Sequence, residues 1–409
     1  MPAATSSSES PLAGIKVLDV SSVLSGPLAA MMLADLGADV IKVEPPHAPD
    51  FTRGMGNSRG GMTAYFYNTN RGKRSLAVNG RHPEGQAILR SLADRSDVVV
   101  QNMRPGKAAG IGLDPDVCLA SNPSLVYASI SGFGSTGPAA GEPVYDYVIQ
   151  AVTGSVDVQR HHETGQADLT RHFLADKITS HATVEAILGA LLARERHPDR
   201  RGQHVEVSMH EANLAFIWPD AMMQHSIVGQ PDAETGYPGD FYRVYPTTDG
   251  AIVLMPIMGP VDGICVAVGH PEWLEDDRFN PLGFDYLHLF QELVAEIVAG
   301  WSTEQALATF SANDVPAGPV IGRGEVHAHP QAVARNSVVD HQVEGLGAIR
   351  SPRPPWRFST TPERLNVGAP ALGADTVEIL TELGYDEGQI AALQADDVIG
   401  ASDPGSRPR

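Results

Sequence analysis

The sequence predicts an α/β fold: a large domain on a Rossmann-like, mainly parallel sheet, with a smaller α+β domain. Three observations predict it. Short apolar runs alternate with helical stretches through the first 135 residues, joined by short connections. The pattern changes near Gln230, where a hairpin signature is followed by two helical stretches. A chain of 409 residues with 42% hydrophobic content is long enough to fill two cores.

Ile15–Val20 is a short apolar run and reads as the first strand. The loop Ser21–Gly26 follows. Pro27 sits where a first-turn proline belongs, Leu28–Leu36 is helical in composition, and Gly37 stops it. Val40–Val43 and Ser75–Val78 read as strands. Pro83 opens a helix to about Ala93. Val98–Gln101 is a strand, Pro115–Ala120 a short helix and Leu125–Ile130 a strand. Such alternation implies right-handed crossovers and parallel pairing. Ligands of these sheets lie beyond the carboxyl ends of the strands. The reading puts Ser21–Gly26, the stretch around Asn70–Arg74, and Asn102–Gly106 there. No G-x-G-x-x-G follows the first strand, so a nicotinamide or flavin dinucleotide is not supported.

Tyr145–Val152 reads as a helix, and a longer one runs from near Asp176 to Arg196. Its Ile178, Ala182, Ile187, Leu188, Leu191 and Leu192 form a broad apolar face. Val205–Met209 reads as a strand. Phe241–Tyr245 and Ala251–Met255 flank Thr248-Asp249-Gly250 as a hairpin. Helices near Tyr286–Val298 and Thr303–Phe310 follow. Beyond the Pro-rich Ser351–Pro355, Asp375–Leu383 and Glu387–Ala395 are helical. These signals set the large domain at 1–229, the small domain at 230–324, and a returning segment at 325–409.

Net charge is −20, which argues against nucleic acid and against an anionic membrane surface. Between Val40 and Lys107, however, eleven Lys/Arg stand against five Asp/Glu. A local basic excess suits a small phosphorylated ligand, and solvated helix faces explain it equally well. Two cysteines, Cys118 and Cys265, allow neither a disulfide framework nor a Cys-rich zinc site, and fit a reducing cytoplasm. No apolar run has the length of a membrane span. Met1–Ser10 and Ser402–Arg409 read as loose tails. His161-His162 is a lone pair without H-E-x-x-H, so no metal site is expected.

Motifs then accumulate along the chain. They include Pro11-Leu-Ala-Gly-Ile-Lys-Val-Leu-Asp19, Ser25-Gly-Pro27 and Leu33-Ala-Asp-Leu-Gly-Ala-Asp-Val-Ile-Lys-Val-Glu44. Asn70-Arg-Gly-Lys-Arg-Ser75, Arg104-Pro-Gly106, Asn122-Pro123, Ser131-Gly-Phe-Gly134 and Tyr145-Asp146 follow. Gly202-Gln203, Val315-Pro-Ala-Gly-Pro319 and Ala369-Pro-Ala-Leu-Gly373 complete the series. In this order they resemble the family III CoA transferases, the formyl-CoA transferase/carnitine dehydratase-like (CaiB/BaiF) family. The resemblance implies a CoA transferase with no tightly bound cofactor. Its substrates would be an acyl-CoA and a carboxylic acid acceptor.

Phe173-Leu-Ala-Asp176 precedes the long helix. On residues alone Asp176 is a helix-capping aspartate. The resemblance makes it the covalent nucleophile that forms an anhydride and then an aspartyl-CoA thioester. A helix N-terminus biases such a carboxylate towards its ionised form. The resemblance also puts CoA on the first half of the chain. Val23, Leu24 and Ser25 would line it, with Asn102 and Arg104 from the next strand-end loop. Lys42, Arg71, Lys73 and Arg74 would join Arg104 near phosphates. The loops Gly132–Gly134 and Tyr237–Gly239 are candidate oxyanion donors. The family's homodimers interlock, each subunit forming a ring threaded by the other.

Departures bear on the transfer. Some relatives carry a basic residue where this chain has Pro45, and many carry an arginine at the place of Gly110. The C-terminal motif often ends Gly-x-His-Thr and here reads Gly373-Ala-Asp-Thr376. Two rival readings share the scaffold. One is an α-methylacyl-CoA racemase, which uses a Gly-His-Asp string where this chain has Tyr145-Asp146; a tyrosine is a poor proton carrier at neutral pH. The other is a non-catalytic acyl-CoA binding protein, against which Asp176 argues.

Overall fold

The computed structural model describes residues 10–161, 164–229, 237–255, 261–279, 285–343, 345–361, 363 and 368–400. The tails expected to be loose lie outside them, apart from Ser10, and so does His162. The chain divides into two compact units. One holds the residues up to Ser155, Leu169–Leu214 and the residues from Ala334; the other holds Val156–Asp168 and Ala215–Val333.

The first unit is built on six strands. They are β1 (Lys16–Asp19), β2 (Asp39–Glu44), β3 (Arg74–Ala77), β4 (Val98–Gln101), β5 (Val126–Ser131) and β6 (Gln203–Ser208). All neighbours pair in parallel, in the order β3-β2-β1-β4-β5-β6. This is the doubly-wound arrangement, and strand order reverses between β1 and β4. Both faces are buried, so the strands read as continuous apolar runs such as Val98–Val100.

Helices cover both faces. On one lie α1 (Ser25–Asp35) and the 23-residue α6 (Leu174–Arg196). They pack Ala29, Leu33, Ile187 and Leu191 against Val17, Val40, Val100 and Ala128. On the other, α3 (Pro83–Asp94) and α4 (Pro115–Ser121) pack Ile88, Leu92 and Cys118 against Leu18, Leu76, Val99 and Tyr127. Pro83 at the start of α3 and Pro115 at the start of α4 occupy the first turn, where no N–H is missed. Short helices α2 (Ala64–Asn70) and α5 (Asp146–Val152) complete this part.

The C-terminal segment from Ala334 belongs to this unit. Asp375 accepts the Ser75 N–H at 2.7 Å, the Thr376 hydroxyl accepts the Ala77 N–H at 3.1 Å, and the Gly373 N–H donates to Ser75 Oγ. The departure at Gly373-Ala-Asp-Thr376 therefore has a structural use: it seals the open edge of β3. A hairpin of β10 (Val338–Val343) and β11 (Gly347–Pro352) precedes it, and α11 (Thr376–Leu383) and α12 (Glu387–Ala395) follow.

The second unit carries the antiparallel sheet β9-β8-β7, made of β7 (Arg243–Pro246), β8 (Ala251–Leu254) and β9 (Ala317–Pro319). Helices α8 (Val261–Ala267), α9 (Asp285–Val298) and α10 (Thr303–Ala312) pack with it around Tyr245, Ile252, Phe290 and Phe310. The expected hairpin is present; Asp249 in its turn accepts the Thr303 N–H at 2.7 Å. The unit boundaries differ from those expected at 229/230 and 324/325. Helix α7 (Met209–Ala221) runs through the first junction, so no break in composition marks it. Residues 156–168, expected in the large domain, belong to the second unit.

Candidate active site

The site grows from the loop that leaves β1. Asp19 ends that strand fully buried, and its carboxylate accepts the Ser21 N–H and the Ser21 hydroxyl. Lys73 reaches Asp19 Oδ2 at 2.8 Å and also donates to the Pro27 carbonyl and to Asn70 Oδ1. Lys42 donates to the Ser21 carbonyl and lies 3.4 Å from Asp50 Oδ2. Burial pushes the Asp19 carboxyl up, but Lys73 and Lys42 together hold it below its usual range. Burial also brings the Lys73 ammonium down to about 8, against the pull of Asp19.

This network forces the loop into an unusual shape. Val23 has φ +72°, a left-handed conformation that a β-branched residue rarely adopts. Its N–H donates to Asp50 Oδ2 at 3.0 Å, one of the contacts that hold it there. Asn102, just past β4, clamps the other side: it accepts the Ser22 N–H at 2.9 Å and donates to the Ser22 carbonyl at 2.7 Å. The chain can then enter α1 at Ser25, whose N–H has no partner within its own helix.

Asp176 is the third residue of α6. The N–H and hydroxyl of Ser25 lie close enough to its carboxylate to favour the ionised form. Ser180 ties the two helices together, donating to the Ser25 carbonyl at 2.9 Å and the Asp176 carbonyl at 2.8 Å. The carboxylate thus lies where the N-terminal turns of α1 and α6 meet, beside the loops leaving β1 and β4. That is the switch point of the sheet, the ligand crevice of this architecture.

A second carboxylate backs the first. Asp146, buried at the start of α5, accepts the Asp176 N–H at 3.1 Å. Gln150 donates to Asp146 Oδ1 at 2.6 Å, and its Oε1 accepts the Thr170 N–H at 3.0 Å. Burial pushes the Asp176 carboxyl up, the Asp146 charge adds to the rise, and the nearby Ser25 opposes it; the result is about 6. The helix terminus alone predicts the opposite direction. Desolvation and a like charge outweigh it here. Tyr65 stacks on Phe173 at 5.9 Å and 11°. Burial raises its phenol, and the Asp176 charge raises it further, so the hydroxyl stays protonated.

Of the expected site residues, the structure brings together Val23, Leu24, Ser25, Asn102 and Asp176. It also shows how the expected phosphate set is paired within the fold. Lys42 and Lys73 have wholly buried side chains committed to Asp50 and Asp19. Arg71 is buried against Asp35 at 2.6 Å. Arg74 is shared between Asp39 and Glu382. Residues 70–74 end α2 and enter β3, so they do not leave a strand. Cations so engaged hold the fold together, and freeing one for a ligand would strand a carboxylate. Arg104 alone of the set is exposed. Among the candidate oxyanion loops, the Gly134 N–H is taken by Ser131 Oγ at 3.0 Å. Gly132 is required because Val144 occupies the place of a Cβ. Tyr237 and Gly239 lie in the second unit, with the Tyr237 ring packed on the bare Cα of Gly239. The hydrogen bonds of Asp146, the brace of Gln150 and the place of Tyr65 were not anticipated. The one sequence signal was the Tyr145-Asp146 string, read only as a family mark.

No group of His, Cys, Asp or Glu among the described residues is arranged to hold a metal ion. No described helix is long and apolar enough to cross a membrane.

Comparison with known proteins shows the family. Residues 12–376 match the model of CoA-transferase family III. The succinate–glutarate CoA-transferase of Agrobacterium fabrum is 35% identical, across 91% of this chain and 96% of its own. The formyl-CoA:oxalate CoA-transferase of Shigella sonnei is 30% identical, across 95% and 99%. The crystal structure of a CAIB/BAIF family protein from Brucella suis superposes with a TM-score of 0.79. It is 31% identical, across 92% of this chain and all of that one. The chain therefore belongs to CoA-transferase family III and is a CoA-transferase.

Proposed function

We propose that this enzyme moves CoA from an acyl-CoA thioester to a free carboxylic acid through covalent intermediates on Asp176. The observation that carries the reading is the Asp176 carboxylate itself, near Ser25 at the switch point of the sheet, on a backbone fixed by Asp146 and Ser180. With a pKa near 6 it is ionised at neutral pH, yet more basic than an ordinary aspartate and so more nucleophilic. It attacks the thioester carbonyl and CoA thiolate leaves, giving a mixed anhydride. The thiolate returns to the Asp176 carbonyl and expels the donor acid. The acceptor carboxylate attacks the aspartyl-CoA thioester, and CoA is finally taken up by the acyl group of the second anhydride. Each step exchanges one acyl bond for another and needs no outside oxidant or metal.

We place the pantetheine arm of CoA along Val23, Leu24, Ser25 and Asn102, with Arg104 towards the phosphates. The strained loop supports this, because a fixed shape at a ligand crevice costs stability that only function explains.

The test is direct. Asp176→Asn keeps size and most hydrogen bonding, so it separates chemistry from folding. It should transfer no CoA to succinate, glutarate, oxalate or acetate. Wild type incubated with its donor and then hydroxylamine should carry the label on Asp176. A label on Asp146, or near-normal turnover of the Asn variant, would sink the mechanism. Solvent deuterium appearing at the α-carbon of an acyl-CoA, without CoA transfer, would favour the racemase.

A further inference from the structure

We propose that Asp50 is the positioning residue of the loop Ser21–Ser25: its buried carboxylate holds Val23 in the left-handed turn and so fixes the surface that meets CoA. This rests on the CoA-transfer reading and on the placing of CoA along Val23, Leu24 and Ser25. Asp50 lies in the connection that follows β2, the strand paired with β1. Its Oδ2 accepts the Val23 N–H at 3.0 Å, from 27 residues further along the chain.

Both oxygens of this carboxylate are engaged, which aims it. Oδ1 accepts the Thr52 N–H at 3.0 Å and the Thr52 hydroxyl at 2.8 Å. Oδ2 faces the Lys42 ammonium at 3.4 Å as well as Val23. The backbone beneath it is fixed too. The Asp50 N–H donates to Glu44 Oε1 at 3.1 Å, and Arg53 grips the same Glu44 carboxylate through Nε at 2.8 Å and Nη2 at 2.6 Å. Burial raises the Asp50 carboxyl, but Lys42, Thr52 and the Val23 N–H hold it below its usual range. Val23 is therefore held by an ionised acceptor, and such bonds are roughly twice as strong as neutral ones.

The rest of the loop is closed around this contact. Lys42 donates to the Ser21 carbonyl, and Asn102 engages both the N–H and the carbonyl of Ser22. Gly26 packs so tightly on Ser21 that an added Cβ would lie 2.3 Å from the Ser21 Cβ. Ser180 holds the Ser25 carbonyl at 2.9 Å. Between these anchors Val23 takes up the turn at φ +72°. A glycine would adopt that conformation without strain. The chain instead keeps a half-buried valine there, under a carboxylate from a neighbouring loop. A branched side chain held in a conformation it disfavours, at a ligand crevice, is there for contact, and Asp50 keeps it in place.

The experiment titrates CoA into four full-length proteins, the wild type, Asp50→Asn, Val23→Gly and the double variant, and follows their denaturation alongside. Asp50→Asn removes the charge and leaves the size. It should weaken CoA binding by roughly tenfold or more, the loss expected for a hydrogen bond to a charged group. In the Val23→Gly background the same change should cost less than about threefold, because glycine reaches the turn unaided. Equal losses in the two backgrounds would overturn the assignment. So would an Asp50→Asn protein that is less stable but binds CoA as the wild type does, since that is a structural role alone. If Asp50→Asn by itself does not fold, Val23→Gly should restore its folding, and a double variant that is also unfolded would overturn the proposal. A wild type that binds no CoA would overturn it together with the placing of CoA on the loop. A wild type that binds CoA and transfers none would overturn only the Asp176 reading, and the four titrations would still decide the role of Asp50.

Discussion

At the scale of single residues, the behaviour of Asp176 comes from its neighbours more than from its helix. Burial is the largest push on its carboxyl, and Asp146 the next. Removing that second charge with Asp146→Asn should bring the Asp176 pKa down from about 6, though not to an ordinary value, because burial remains. The acidic limb of the pH–kcat profile should shift to lower pH; a limb that stays in place would mean that Asp146 does not tune the nucleophile. Stability should follow with a definite sign. A carboxyl whose native pKa is raised costs stability wherever it is ionised, above about pH 6, and costs nothing once protonated in both states, below about pH 4. Asp176→Asn should therefore stabilise the protein by up to about 3 kcal/mol at pH 8, and hardly at all at pH 4. Denaturant titrations at the two pH values check this. A gain that is the same at both would point to a cause other than ionisation. The position of Asp176 was legible through its motif. Its elevated pKa was not, because it depends on burial and on Asp146, which lies thirty residues away in the chain.

At the scale of elements, the strands were legible and the charge network was not. All six strands of the large sheet lie within two residues of the apolar runs that announce them, because a doubly covered parallel strand must be apolar. The hairpin β10–β11 was not foreseen, since the Pro-rich stretch obscures its alternation, and α7 hides its boundary behind aromatic residues and Pro219. The cations near the site were read as phosphate ligands because a sequence shows charges without their partners. Their partners, Asp19, Asp35, Asp39 and Asp50, sit on other strands, helices and loops. Lys73→Met discriminates between the two roles. A buried ion-pair member should cost about 3–5 kcal/mol of stability, because Asp19 loses its closest countercharge. A phosphate ligand would cost CoA affinity and leave stability nearly unchanged. Chemical denaturation and CoA titration of the same variant separate these outcomes. A wild-type unfolding midpoint would reinstate the phosphate role.

At the scale of the whole molecule, we propose that two chains interlock as a homodimer. Each subunit would form a ring threaded by the other. The sheet of the second unit offers apolar side chains to a partner: Tyr242, Val244 and Val253 stand 78%, 55% and 44% exposed on or next to its strands. Interlocking has a kinetic signature that a side-by-side dimer lacks. Separating linked rings requires opening one chain, so dissociation is limited by unfolding and not by the area of the interface. Two affinity-tagged versions, purified apart and mixed under native conditions, should therefore form no mixed dimer over days. Unfolding the mixture in guanidinium and refolding it should give mixed dimers in the statistical proportion. Sedimentation should show one species of twice 43.5 kDa at micromolar protein. A single monomeric species would reject the dimer. A dimer that exchanges subunits within minutes would keep the two-fold assembly but reject the interlock.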